Sequence, residues 1–576
     1  MDHIFLIELT TILFGALFGG IIAYRLRQPV VLGYIFAGLI LGTLFPSFLN
    51  GSARDSAVNT LAEIGVALLL FTLGLEFSLP RLKKVGKPAV LGASLQILLV
   101  LLSFSVLLHF LLGINFKQAL FLGGIASLSS TAVVAKLLND SASIDSLQGD
   151  LMMAWLIVQD LAVVPLILIL PAITSSGSFE PVSLALGILK SAIALYLIFL
   201  FGKKTVPYLF RKLALFNSRE LLLVSAFVFC IALATLAEFL GLSFAIGAFI
   251  GGILISTSAV NHEVFTEIRP LRDLFSSMFF VSLGFLITIP TFFASLIPAL
   301  VITFLVLTVK LFIILSLALF FKYHSKVAFI ASLGLFQIGE FGFILAKIGL
   351  DSGSITLPLY QAIVSSSIIT LVLTPFLFNS APKIYKVFRN FIRNYQPSLY
   401  RFIFKALDSD AKMPKPRKYV ATNHIILVGY GRVGRYLAKV LSLAGIEYVV
   451  IDLHYRAVHN LRKKGIHSVY GDAVNPDVLL LAGIKSAKGV IIATPDVITN
   501  ELIINNIRRL NPSARIIGRA HKEEDIARLY IRGITEVIEP EFEASLQIGE
   551  RILKFFNKTP KEIHHYIQKT RREKKY

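Results

Sequence analysis

Residues 154–164 read AWLIVQDLAVV, which sets a carboxylate, Asp160, and an amide, Gln159, at the middle of the candidate span 148–171, between the apolar stretches 151–158 and 161–171. A bilayer core takes about 20 apolar residues per helix, so the run has the length of a membrane span. An ionisable group at its centre is costly in hydrocarbon and needs a reason to be there. The whole chain reads the same way. Of its 576 residues 55% are hydrophobic and 16% charged, whereas ordinary soluble domains reach about 25% charged. Cys230 is the single cysteine, which excludes an intrachain disulfide framework. No Cys/His cluster has zinc-ligand spacing, so no structural metal is expected.

Thirteen runs of suitable length are expected to span the membrane, at 5–24, 30–48, 58–79, 89–112, 117–138, 148–171, 183–202, 219–239, 242–257, 273–289, 295–321, 327–350 and 358–380. The first follows only Asp2 and His3, with no basic stretch and no cleavage pattern, and is expected to be retained. Lys and Arg collect in alternate loops, among them Arg81, Lys83, Lys84, Lys87, Lys203, Lys204, Arg211, Lys212, Arg269, Arg272, Lys322 and Lys326, while the opposite loops hold little beyond Arg54 and Lys117. Basic loops stay cytoplasmic, so the amino terminus is expected outside and the carboxyl-terminal part inside the cell membrane.

The net charge of +21 is uneven: 21 Lys/Arg face 17 Asp/Glu in residues 1–382, and 35 face 18 in residues 383–576. The chain therefore divides into a membrane part, 1–382, a basic amphipathic linker, 383–422, an α/β domain, 423–545, and a helix with a basic tail, 546–576, whose end from Lys569 is expected to be loose. A basic tail directly after membrane spans points to an anionic lipid face rather than to nucleic acid.

With thirteen spans, the fifth and twelfth run in opposite directions, as inverted repeats require. Both are interrupted by small or polar residues: Ser127, Ser129, Ser130 and Thr131 in the fifth, Gln337, Gly339, Glu340 and Gly342 in the twelfth. Paired discontinuous helices aim half-helix ends at an ion site in secondary transporters; small residues also serve merely for close helix packing. Both readings stand on sequence alone. Burial disfavours the charged form of a carboxylate, so Asp160 is suited to exchange a proton for a monovalent cation, with Gln159 offering a carbonyl oxygen and no second charge. Lys310, mid-way along the eleventh run, is the natural partner for Asp160 or Glu340. Glu63, Glu76 and Glu238 are weaker candidates.

From His424 the pattern changes to strand, glycine loop, helix, strand, acid: an apolar run to Val428, then Gly429-Tyr430-Gly431-Arg432-Val433-Gly434, a helical stretch to Leu443, and Tyr448–Ile451 closed by Asp452. This order is what a dinucleotide-binding fingerprint needs. The glycines allow a tight turn and close phosphate approach, and the acid accepts ribose hydroxyls. Further strands are expected near 467–470, 488–493, 514–518 and 535–538, with Gly471-Asp472-Ala473 closing the third at the ligand edge of the sheet. No substrate domain follows, which suits a sensor of an adenine nucleotide, NAD(H) or AMP, rather than a reductase. Val428-Gly429-Tyr430-Gly431 also reads like the end of a potassium-channel filter, but no pore helix precedes it and no span follows.

The chain resembles the monovalent cation:proton antiporter-2 superfamily, and within it Kef-type potassium efflux antiporters with a regulator-of-potassium-conductance domain. The likeness is carried by LFTLGLEF at 70–77, Ser129-Ser130-Thr131-Ala132, Gln159-Asp160, FQIGEF at 336–341, and the fingerprint with Gly471-Asp472-Ala473. It implies a homodimer of thirteen-span protomers with broken, crossing fifth and twelfth spans, electroneutral exchange of K+ or Na+ for H+ with the cation and the proton taken in turn by Asp160, and regulation through Gly429, Gly431, Arg432, Val433, Gly434, Asp452, Asp472 and Ala473. The segment His262–Pro270 resembles the family's regulatory acidic loop, but Phe265 and Arg269 stand where glutathione-gated members carry acids. Arg432 and Arg519 resemble family residues that hold glutathione. The expected function is K+ efflux by K+/H+ antiport under nucleotide control. The competing readings are a Na+/H+ antiporter with a structural tail, a membrane-anchored NAD-dependent oxidoreductase, and a channel with the same sensor.

Overall fold

The computed structural model describes residues 2–573 apart from 27, 46–56, 77–86, 142, 145, 175–197, 199, 201, 214, 217, 241–242, 259, 401–422 and 521–522. The chain divides into two compact units. The first comprises Met1–Ala135, Met152–Leu317 and Ser332–Phe378; the second comprises Lys136–Leu151, Ala318–Ala331 and Asn379–Tyr576.

The first unit is helical. Among the described residues, helices stand at the positions of all the expected spans except the seventh, which lies almost wholly outside them. Several are apolar on all sides, with Leu17, Phe18, Leu98, Phe110, Val228 and Phe304 exposed. Such a surface is stable only against lipid. The fifth span is two helices, Phe116–Ser127 and Thr131–Asp140, and the twelfth is Ser325–Gly334 and Glu340–Asp351. Both therefore break where the small or polar residues fall, as the discontinuous-helix reading expects. The tenth begins earlier than expected, at Asn261, so the segment resembling a regulatory loop is the first turns of a helix. Val264 and Ile268, one turn apart and fully buried, hold it there. The thirteenth does not stop near 380 but runs from Leu357 to Tyr395. The expected boundary at 382/383 falls inside it. Residues 383–395 keep the helical period, with Tyr385 and Ile392 buried and Val387 and Phe391 exposed.

The second unit is built on a parallel sheet of six strands: β1 (Ile425–Val428), β2 (Tyr448–Asp452), β3 (Ser468–Tyr470), β4 (Gly489–Ile492), β5 (Arg515–Arg519) and β6 (Glu536–Ile538). Their order is β3-β2-β1-β4-β5-β6, with β1 paired in register to both β2 and β4. This is the doubly wound arrangement, and its switch point lies between β1 and β4. Alternate residues feed the two faces, which is why the strands are apolar throughout. Ile426, Val428, Val449, Ile451, Val490 and Ile492 pack on one face, while Leu427 and Val450 pack with Ala438 and Leu461 on the other. Two helices follow, Pro540–Phe555 and Pro560–Glu573. The tail expected to be loose is thus helical to Glu573, and Arg571 Nη2 lies 2.6 Å from Glu543 Oε2.

Candidate functional site

In the membrane unit the two breaks meet. Gly339 donates its N–H to the Leu128 carbonyl at 3.2 Å, and a Cβ on Gly339 would lie 2.5 Å from the Ser129 carbonyl carbon and oxygen. Only glycine permits backbones that close. The Ser129 hydroxyl donates to the Leu335 carbonyl at 2.7 Å, tying the fifth-span break to the start of the twelfth-span break.

Lys310 corrects the sequence reading. It is fully buried, but it lies within 4 Å of neither Asp160 nor Glu340. Its ammonium donates to the Leu128 carbonyl at 3.0 Å, to Ser129 Oγ at 3.0 Å and to the Gln337 carbonyl at 2.9 Å. Broken helices leave carbonyls without intrahelical partners, and one cation here serves oxygens from both breaks. Lys310 is a clamp on the crossing. The Gln337 side chain is fully buried, and neither its amide oxygen nor its amide nitrogen has a protein partner.

Asp160 stands beside the crossing. Thr131, the first residue of the second half-helix, donates its hydroxyl to Asp160 Oδ2 at 2.8 Å. Asp160 as a whole residue is partly buried. Glu340 opens the other half-helix, its carboxyl close to Ser130 and Ala132. Two half-helix amino ends, each favourable to negative charge, thus bring Asp160, Glu340, Ser130 and Thr131 together.

Gln159 is placed differently from expectation. It is fully buried, its Oε1 accepts the Ser129 N–H at 2.8 Å, and its Nε2 donates to Gln96 Oε1 at 2.6 Å. Gln96 in turn donates to the Ser127 carbonyl at 3.0 Å. The carbonyl oxygen expected to face the ion therefore holds the break in place. Gln96 was not singled out from sequence, although a lone amide in the apolar run 89–112 was the available signal.

In the second unit, Gly429 has φ +92 and Gly434 approaches its carbonyl so closely that a Cβ would lie 2.0 Å from it. Above Gly431, by contrast, a Cβ would meet nothing within 4 Å. The loop leads into the helix Arg432–Leu443, whose first turn is open to an anion. Asp452 accepts the Tyr430 N–H at 2.5 Å and the His454 N–H at 2.6 Å. Burial pushes its carboxyl up, and these bonds oppose the shift. Val433 is partly exposed beside the loop, whereas Ala473 is packed in the core. Arg519, at the end of β5, is held below its usual basicity by burial and by Arg432 alongside, and its buried Nε has no partner. These groups fit a phosphate-bearing ligand.

Broken helices crossing beside the Asp160 carboxylate, joined in the chain to a Rossmann-type sheet, define a secondary transporter with a nucleotide-type regulatory domain. The chain belongs to the sodium/hydrogen exchanger family: the family's transmembrane model matches residues 12–379, and a TrkA-N domain model matches residues 425–540. It is a cation/proton antiporter, not an enzyme. Among its relatives, the putative cation/proton antiporter YbaL of Escherichia coli is 30% identical over 541 residues, 92% of this chain and 94% of that protein. The putative K+ efflux antiporter KefB of Alkalimonas amylolytica is 28% identical, covering 98% of this chain and 84% of that one. The structure of the sodium proton antiporter MjNhaP1 from Methanocaldococcus jannaschii matches 66% of this chain and 100% of its own, with 17% identity and a TM-score of 0.51, a likeness of fold.

Proposed function

We propose that the chain exchanges a monovalent cation, K+ in preference to Na+, for one proton at Asp160, and that an adenine nucleotide held at the glycine loop regulates the exchange. The observation that carries the reading is the Asp160 carboxyl bonded by Thr131 at the amino end of a half-helix where the two broken spans cross. The preference for K+ rests on the names of relatives such as KefB. In this reading Ser130, Thr131 and Glu340 complete the polar surround, Lys310 and Gln159 keep the breaks in register, and the protein works as a homodimer in the cytoplasmic membrane with its amino terminus outside. Proton flux in proteoliposomes, driven in turn by K+ and Na+ gradients, tests the choice of ion. A larger response to Na+ would overturn the K+ assignment.

Exchange is expected to be electroneutral, because one carboxylate alternates between one cation and one proton. Clamping the membrane potential at fixed ion gradients should leave the rate unchanged. A net charge moved per cycle would feel ~2.3 kcal/mol per 100 mV and make the rate follow the potential.

Gly429, Gly431, Gly434, Arg432, Val433 and Asp452 are the groups that would hold the nucleotide, with Arg519 beside its phosphates; bound there, it would supply charge and contacts, not redox chemistry. Gly434→Ala is the direct test, since the new methyl would collide with the Gly429 carbonyl. Overpacking of this kind costs ~1–3 kcal/mol, so binding of NADH or AMP to the full-length protein should weaken several- to a hundredfold, and the flux response to them should shrink in step. Typical coupling between sites is about 1–3 kcal/mol, which sets the wild-type response at severalfold. Undiminished binding in this variant would place the nucleotide elsewhere.

A further inference from the structure

Asp472 is not idle in the nucleotide domain. Its Oδ1 accepts the Val474 N–H at 3.0 Å, and its Oδ2 lies 3.3 Å from the ammonium of Lys326. Lys326 also donates to the Thr499 hydroxyl at 3.1 Å, and Thr499 donates to Asp496 Oδ2. Both side chains of the ion pair are about nine-tenths buried. Burial alone would raise the Asp472 carboxyl; Lys326 and His324 more than offset it and leave it below the ordinary range. Asp472 follows β3 and Thr499 sits in the helix after β4, so the lysine is anchored at two places on the carboxyl edge of the sheet, where ligands of such sheets bind.

Lys326 itself is the second residue of the helix Ser325–Gly334, the first half of the broken twelfth span. The turn that carries it is fixed from other sides too. The His324 ring meets Tyr470 edge-on at 6.1 Å, Ser325 Oγ lies 2.8 Å from the Tyr385 hydroxyl, and Phe329 stacks on Phe388 at 5.3 Å. From Lys326 the same helix runs about 12 Å, at 1.5 Å per residue, to its end at Gly334, and the next residue is Leu335, whose carbonyl accepts the Ser129 hydroxyl at the crossing. A helix transmits an axial displacement with little loss, because its backbone bonds resist compression.

We propose that Lys326 is the coupling residue between nucleotide site and ion site, its ion pair with Asp472 standing in competition with the adenosine portion of a nucleotide for the same carboxylate. This rests on the nucleotide reading above. Asp472 has one oxygen committed to the Val474 amide and one to Lys326, so donors on an adenosine have to share or take the second. When Lys326 loses that hold, the first turn of the helix is released from the sheet edge, and the crossing it leads to changes its balance of states. Coupling is reciprocal, so whatever binding does to the lysine, the lysine must do to binding.

The reciprocity gives a test with opposite signs for coupling and for damage. Full-length wild type, Lys326→Gln, Lys326→Arg and Thr499→Val are compared for NADH and AMP affinity and for flux with and without each nucleotide in proteoliposomes. Removing the competing cation should tighten nucleotide binding severalfold in Lys326→Gln, while the ratio of flux with and without nucleotide falls to about one. Lys326→Arg should restore both values towards wild type, and Thr499→Val, which deletes one of the two anchors, should lie between. Unchanged or weaker binding in Lys326→Gln, or a flux response that survives, overturns the proposal. If Lys326→Gln cannot be purified folded, Thr499→Val and Lys326→Arg decide it by the same pair of readouts. A wild type that binds neither nucleotide defeats the nucleotide reading and the coupling together; a wild type that responds with a Lys326→Gln that responds equally defeats the coupling alone.

Discussion

Asp160→Asn is expected to bring cation-driven proton flux down to that of protein-free vesicles, with the purified protein retaining its helical content and thermal transition. The substitution keeps the shape of the side chain and a carbonyl oxygen for the Thr131 hydroxyl, now 2.8 Å from Oδ2, so the crossing has no reason to move. What it removes is the one property exchange requires, a group that is negative when it holds a cation and neutral when it holds a proton. An amide carries no charge and does not titrate in this range. Glu340, on the opposite half-helix, lies close to Ser130 and Ala132 and is not expected to take over. Flux in Asp160→Asn above that of empty vesicles would move the carrier role to Glu340 or Glu76. The parallel variant Glu340→Gln would then show which.

Much of this was legible in the residues. Asp160 declared itself by its cost in an apolar run, and the glycine fingerprint located the sheet to within a residue at most strand ends. The two breaks were visible as Ser-Ser-Thr and Gln-x-Gly-Glu within otherwise apolar spans, because residues that interrupt a helix are few and conspicuous. Partnership was not legible. Lys310 looked like the partner of a carboxylate because opposite charges attract in hydrocarbon, yet it serves carbonyls and a hydroxyl, since broken helices create oxygen acceptors that a sequence does not display as charges. Gln159 reads as an ion ligand by adjacency to Asp160, but neighbouring residues in a helix point about 100° apart, so the two side chains of such a pair face different neighbours. Lys326 read only as one more cytoplasmic cation. Its partner Asp472 lies 146 positions away, and no local pattern joins them. The helix through 383–395 was hidden by composition, because cations interleaved with aromatics mark a surface helix and a linker alike.

Gly339→Ala is the second change expected to be severe, and it tests the crossing without touching a charge. The new methyl carbon would sit 2.5 Å from the Ser129 carbonyl carbon and oxygen and 2.7 Å from the Ser130 nitrogen. All three are backbone atoms, so no rotamer change relieves the clash; the two breaks must part by about an ångström to reach ordinary contact. Parting them strains the Gly339–Leu128 backbone bond and the Ser129–Leu335 bond, and it pulls apart the oxygens that Lys310 holds from both sides. Overpacking costs ~1–3 kcal/mol, and here the cost falls on the element whose geometry positions Thr131 against Asp160, so flux should drop by more than about tenfold. The apparent cation affinity should weaken with it, because the carboxylate loses its oriented donor. Gly353→Ala is the matched control. Gly353 lies in the loop after the broken span, and a Cβ there meets no atom within 4 Å, although its φ of +68 makes alanine mildly strained. Flux near wild type in Gly353→Ala beside a collapse in Gly339→Ala would assign the effect to the crossing. Equal, mild losses in both would mean that the crossing tolerates separation and that the ion site does not depend on backbone contact between the two broken spans.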